Sequence, residues 1–211
     1  MDVEGRGIIM IGAGGHAKVC IELFRAMGES VDFCIGDHAS GDCLGVTVLD
    51  GDEHIERLAS EGYRRAFIAI GANALRAKLA GKVREQGFDL VSAVSPRAVV
   101  SPSARVGRGV AIMAGAVINA EADIGDLAII NTGTVIDHEC RIGTAAHIAP
   151  QCGLAGNVKV GAYSFLGVGC KVIPEVTIGD GCIIGAGTVV ISAIPSSTTA
   201  VGVPARFVKN S

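Results

Sequence analysis

The chain has 211 residues, of which 49% are hydrophobic and 18% charged, with a formal net charge of −3. That is enough apolar material for one large core or two small ones, and the slight acidity argues against a sequence-independent grip on nucleic acid. No apolar run is long and uncharged enough for a membrane helix, and the opening "MDVEGRG" lacks the basic and apolar parts of a secretion signal, so a cytoplasmic protein is expected.

The first elements alternate. "GIIMIG" (7–12) reads as a short apolar strand, and residues 16–28 as a helix ending in Gly. A strand is expected at 31–37, a helix at 51–62, a strand at 65–71, a helix at 73–87 and a last strand at 89–94. Alternating β and α predicts a small Rossmann-like parallel sheet over residues 1–92. Its first turn, "GAGGHA" (12–17), fits the G-x-G-x-x-G/A pattern, in which glycines let backbone approach a phosphate at a helix N-terminus. Asp37 closes the second strand near where a ribose-binding acid would stand. About 90 residues leave no room for the second half of a dinucleotide fold, so a single nucleoside diphosphate suits the length better. A tight turn with no ligand is the plain alternative. His16 is a candidate phosphate or sugar contact.

From Val94 to Val190 every sixth residue is Ile, Leu or Val, without one insertion. Four places after each comes a mostly small residue, and Cys140, Cys152, Cys170 and Cys182 fall in that register. These four read as small buried hydrophobes. The seven cysteines are odd in number and form no CxxC, which argues against a disulfide framework and a Cys-rich zinc site. A period of six fits a short strand and a tight turn, repeated, as in a parallel β-helix whose coils stack over one core. Residues 93–211 form this second domain, and its segment 94–194 would give between five and six coils of about 18 residues.

Within this repeat stands "IDHEC" (136–140). Ile136 and Cys140 are inward positions, so Asp137 faces out and His138 and Glu139 occupy the corner. Asn131 takes the same outward slot one hexapeptide earlier, and His147 faces out before inward Ile148. One coil beyond His138 is Gly156, whose missing side chain leaves a notch beside the ring. An imidazole with an ordinary pKa of about 6.5 suits proton transfer near neutral pH. A solvated surface histidine is the bland alternative.

The stretch "NTGTVIDHECRIGTAAHIAP", with "GAGGHAK", "AIGAN", "SPRAVVSPSARVG", "LAGNVKVG" and "VGVPAR", resembles hexapeptide-repeat nucleotide-sugar acetyltransferases of the sialic-acid acetyltransferase and PglD group. The resemblance covers almost the whole chain. It implies a left-handed coil and a homotrimer with active sites between subunits. It also implies acetyl-CoA as cosubstrate, no metal, and a nucleotide-linked 4-amino-4,6-dideoxysugar, GDP-perosamine or a UDP-linked analogue, made for a surface polysaccharide or glycan. His138 would be the general base and Glu139 the carboxylate that raises its basicity, with Asp137 and Asn131 lining the sugar site. His147, Gly156, Val168 and Ala186 would contact acetyl-CoA. Gly14, Gly15, His16, Asp37 and Gly71 would hold the nucleotide sugar. The group often has Glu where Asp137 stands. Three other readings remain: a sugar O-acetyltransferase using the same base, a γ-carbonic-anhydrase-like metalloenzyme, for which the repeat offers only two histidines where zinc needs three, and a non-catalytic trimeric scaffold.

Overall fold

The computed structural model describes residues 6–36 and 41–208; residues 1–5, 37–40 (Asp37 among them) and 209–211 lie outside the described residues. The chain divides into two compact units, Met1–Val94 and Ser95–Ser211. No helix among the described residues is long and apolar enough to cross a membrane.

The first unit runs β1 (Ile8–Ile11), α1 (Gly15–Ala26), β2 (Val31–Ile35), β3 (Asp42–Cys43), β4 (Val46–Leu49), α2 (Glu53–Ser60), β5 (Arg65–Ile68), α3 (Asn73–Glu85) and β6 (Asp89–Leu90). The six strands lie in the order β3-β4-β2-β1-β5-β6. All neighbours are parallel except β3 and β4, which are antiparallel. β1 is central and wholly buried, which is why it reads as a continuous apolar run rather than an alternating one. Phe24 of α1 meets Phe67 of β5 edge to face at 5.2 Å, closing the core beside it. The chain winds from β1 outward through β2 and β4, then crosses back to β5 on the other side of β1. The carboxyl ends of β1 and β5 therefore flank a topological switch point, where open α/β sheets hold ligands.

The expected elements are present with shorter bounds, and the expected 89–94 strand is two short pieces, Asp89–Leu90 and Ala93–Val94. The β3–β4 hairpin is an addition. Its turn is Leu44-Gly45, with φ of 51° and 78°, the pair of positive angles a two-residue hairpin needs. Leucine in place of the usual Asn or Asp hides that turn from a sequence reading.

In the second unit, two-residue strands recur every six residues and pair in parallel one coil apart, as in Ile118↔Ile136↔Leu154. Three walls result. The first carries Ala111, Ile129, His147, Phe165 and Ile183 at its outward positions. The second carries Val99, Val117, Val135, Gly153, Lys171 and Val189. The third carries Arg105, Asp123, Arg141, Lys159 and Thr177. The inward aliphatic column is buried from Ile112 to Val190, but Val106 is 36% exposed, because the stack's first coil lacks a neighbour on one side.

The small-residue column does more than fill space. Thr134 Oγ1 donates to Ala149 O at 3.1 Å, Ser164 Oγ to Gly179 O at 2.7 Å, and Cys140 Sγ to Ala155 O at 3.2 Å. Each stitches a corner to the coil above, so these buried groups have partners. All seven cysteines are buried and free. At the corners a residue with positive φ recurs every sixth place from Gly109 to Gly187. Where it is not Gly, as at Glu139 (φ 58°), the backbone carries a cost of about 1–2 kcal/mol.

A second glycine column lets coils approach. A Cβ on Gly125 would lie 2.9 Å from both Ile142 O and Thr144 N. These are backbone atoms of the next coil and cannot step aside. Gly125→Ala is expected to destabilise the chain by about 1–3 kcal/mol. Gly81→Ala, in α3 with open space around the new methyl, should stabilise it by about 0.5–1 kcal/mol. Chemical denaturation of both variants reads the contrast directly.

Candidate functional site

The corner joining the second wall to the third carries Asp137, His138, Glu139 and Cys140. Asn119, one coil before Asp137, donates from Nδ2 to Asp137 Oδ1 at 2.9 Å, and the His138 N–H donates to the same oxygen at 2.7 Å. The Asn119 amide first, then the His138 backbone N–H, hold this carboxyl below the usual carboxylate range. His138 Nδ1 lies 3.0 Å from Glu139 Oε2. A carboxylate only accepts, so Nδ1 carries the proton and Nε2 of the neutral ring keeps its lone pair. Both side chains are more than half exposed, so the pair serves orientation more than stability.

The expected notch at Gly156 is filled by the imidazole itself. A Cβ on Gly156 would come within 2.5 Å of His138 Cε1 and Nε2. The glycine is what lets the ring lie back across the next coil.

Asn131 and His147 form a separate group, on the first wall and the corner it makes with the second. Asn131 Nδ2 lies 3.2 Å from His147 Nε2, and Asn131 Oδ1 accepts from the Thr132 N–H at 2.8 Å. With its oxygen so engaged, the amide presents its NH2 to the histidine. Phe165, one coil on, packs edge to face on the His147 ring at 5.2 Å. Val168, 49% exposed, and exposed Ala186 stack one coil apart on the same corner. The structure thus groups His138, Glu139, Asp137 and Gly156 at one corner, and Asn131, His147, Val168 and Ala186 at another.

In the first unit, Gly14, Gly15 and His16 follow β1, and Gly71 follows β5. Gly12, at φ 112°, would place a Cβ 2.9 Å from Ala69 O, so the two turns touch. A Cβ on Gly14, Gly15 or Gly71 would meet nothing within 4 Å, leaving open space in front of them. Neither α1 nor α3 has a side-chain cap on its N-terminus. His16 is pulled down to about 4 by burial and then by the positive charge of Arg76. It is neutral at physiological pH, with Nε2 3.7 Å from Cys20 Sγ. Burial pushes that thiol up to about 12, so it stays protonated. Among the described residues no group of three or more His, Cys, Asp or Glu is gathered as a metal-ligand set.

Three participants escaped the sequence reading. Asn119 stands one coil before Asp137 and Phe165 one coil after His147, so stepping by a full coil finds both. Arg76 shares the buried face of α3 with Ala80 and Val83, a helical spacing that marks an arginine among core positions.

Comparison with known proteins agrees with this architecture. The PglD N-terminal domain family matches residues 7–83, and the bacterial transferase hexapeptide family (six repeats) matches residues 157–192. The crystal structure of PerB from Caulobacter crescentus, in complex with CoA and GDP-perosamine, is 54% identical, covers 96% of this chain and 97% of its own, and superposes with a TM-score of 0.93. The acetyltransferase domain of PglB from Neisseria gonorrhoeae is 34% identical over 97% of this chain and 100% of its own, with a TM-score of 0.92. A UDP-N-acetylbacillosamine N-acetyltransferase of Bacillus subtilis is 36% identical over 120 residues, 52% of each chain. The chain spans about half the length, or less, of the curated relatives it matches. The chain belongs to the hexapeptide-repeat sugar acetyltransferases of the PglD group. Its similarity to PerB extends through both units.

Gly156→Ala should push the His138 ring off the coil while leaving the melting temperature nearly unchanged, since the ring is exposed and free to move; the ring's NMR shifts report it. His16 gives a pH prediction. Its folded pKa, about 4, lies below the unfolded value of about 6.5. The unfolded chain therefore binds more protons between those values, and stability falls as pH drops through that window, by up to about 3 kcal/mol. In denaturation from pH 7 to pH 4, His16→Gln should lose less stability than the unaltered chain.

Proposed function

We propose that the chain transfers the acetyl group of acetyl-CoA to the 4-amino group of GDP-perosamine, with His138 as general base. The observation that carries this is the 54% identity to PerB, crystallised with CoA and GDP-perosamine, over nearly the whole of both chains. PerB structures in which a histidine is replaced by Asn or Ala also hold CoA and GDP-perosamine.

The chemistry follows from the corner. The neutral amine attacks the thioester carbon as its proton passes to Nε2 of His138, and Glu139 stabilises the imidazolium that forms. The tetrahedral intermediate collapses, the C–S bond breaks, and the departing sulfur takes the proton to leave as CoA-SH. No acyl-enzyme and no metal enters. Asp137, held by Asn119, lines the sugar side. Val168 and Ala186 line the path of the CoA arm beside His147, and Asn131, hydrogen-bonded to His147, faces the sugar.

These two groups stand on different corners of the β-helix, so a single cleft that uses both draws them from neighbouring copies. The outward positions support this. The first two walls are largely apolar, with Val99 64% and Ile183 52% exposed, and the third is polar throughout. Two covered walls and one wet wall per chain is what a closed three-fold ring needs, and we read the protein as a homotrimer with shared sites. The crevice of the first unit suits the GDP moiety, with its diphosphate at Gly14, Gly15, His16 and Gly71. Seven free cysteines suit the reducing cytoplasm. The product serves surface polysaccharide synthesis.

Transfer to a sugar hydroxyl would use the same base; the Bacillus relative, an N-acetyltransferase, favours the amine. A thiol-release assay with acetyl-CoA against GDP-, UDP- and dTDP-linked 4-amino sugars should give the highest kcat/KM with GDP-perosamine. His138→Ala should lower kcat by about 10²–10⁴-fold, and light scattering should give three chains per particle. Faster turnover of a hydroxyl sugar, or full activity in the variant, contradicts the reading.

A further inference from the structure

Arg76 is among the largest fully buried side chains in the molecule, at 1% exposure. Its Nη1 donates to Ile70 O and to Gly71 O, each at 2.9 Å, and its Nη2 to Asn73 Oδ1, also at 2.9 Å. All three acceptors lie in the turn that leads from β5 into α3, at the switch point beside the glycine-rich turn. Burying a guanidinium costs several kcal/mol that a methionine or leucine on the same helix face would not. Burial brings its pKa down to about 10, which leaves it charged at neutral pH. Its field reaches across the crevice, since it helps to keep His16 neutral.

Two consequences follow for a phosphate in that crevice. The carbonyls of residues 70 and 71 are engaged by the guanidinium, so their negative ends are neutralised beside an incoming anion. A positive charge also stands behind the turn where water cannot screen it, and such charges act further than exposed ones.

We propose that Arg76 is a positioning residue for the nucleotide end of the substrate, holding residues 70–73 open toward the glycine-rich turn and lending positive charge to the diphosphate lodged between the ends of β1 and β5. The proposal rests on the reading of that crevice as the nucleotide site, so the test includes a variant that probes the crevice alone.

The full-length chain is compared with Arg76→Met, Arg76→Lys and Gly15→Leu. Calorimetric titration with GDP gives Kd, steady-state kinetics give KM for GDP-perosamine and for acetyl-CoA, and thermal denaturation gives Tm. Arg76→Met should weaken GDP binding and raise KM for the nucleotide sugar by about ten-fold or more, with KM for acetyl-CoA and kcat within about two-fold. Arg76→Lys keeps the charge and loses the paired hydrogen bonds, so it should fall between, at about three-fold. A lowered Tm with unchanged GDP affinity makes Arg76 a structural staple and overturns the proposal. Should Arg76→Met not fold, Arg76→Lys decides: GDP affinity equal to that of the unaltered chain refutes the role. Gly15→Leu adds bulk into open space at a helix start and should abolish GDP binding. If it binds GDP normally, the crevice is not the nucleotide site and the proposal fails with it. If it loses GDP while both Arg76 variants bind normally, the crevice reading stands and the Arg76 role alone is overturned.

Discussion

The second unit depends on one constraint: each corner must stack on the corner one full coil away. That period sets which residues become neighbours. It brings Asn119 under Asp137, lays the His138 ring over Gly156, and sets Phe165 on His147. Glycine and small-residue columns make the stacking close enough to be rigid, and buried Thr, Ser and Cys side chains tie successive turns. A side chain on such a frame needs few local supports, because its position is inherited from the lattice of coils.

The two histidines of interest show how surroundings assign roles. His138 is exposed, faces a carboxylate at 3.0 Å, and offers Nε2 to whatever occupies the corner. His16 is buried, faces a buried cation, and is held neutral far below its usual titration range. In the proposed reaction the first would take the proton of the attacking amine. The second is arranged never to carry one at working pH, which leaves it a hydrogen-bonding surface beside the nucleotide turn. Under the proposed function one residue type would thus serve as a base in one unit and a neutral contact in the other, by desolvation and neighbouring charge.

Much of this was legible in the sequence. The unbroken six-residue aliphatic column announces the β-helix, because burial at one position per strand leaves little freedom. The apolar β1 and the glycine-rich turn announce the sheet. What stayed hidden has physical causes. The β3–β4 hairpin turns on Leu44, a residue with no turn preference. The end-coil exposure of Val106 depends on having no coil beneath it, which a repeating pattern cannot express. Arg76 reads as an ordinary surface charge until its place on a buried helix face is noticed. The separation of His147 and Asn131 from His138 follows from counting walls: the same outward slot on successive hexapeptides belongs to different faces.

The central claim is that Nε2 of His138 takes the proton of the attacking amine while Nδ1 stays on Glu139. A crystal structure of this chain with CoA and GDP-perosamine measures it most directly. The account requires the sugar's 4-amino nitrogen within hydrogen-bond distance of Nε2 and on the thioester side of the cleft. An amine seated on Asp137 or Glu139 instead, with the His138 ring out of reach, would contradict it.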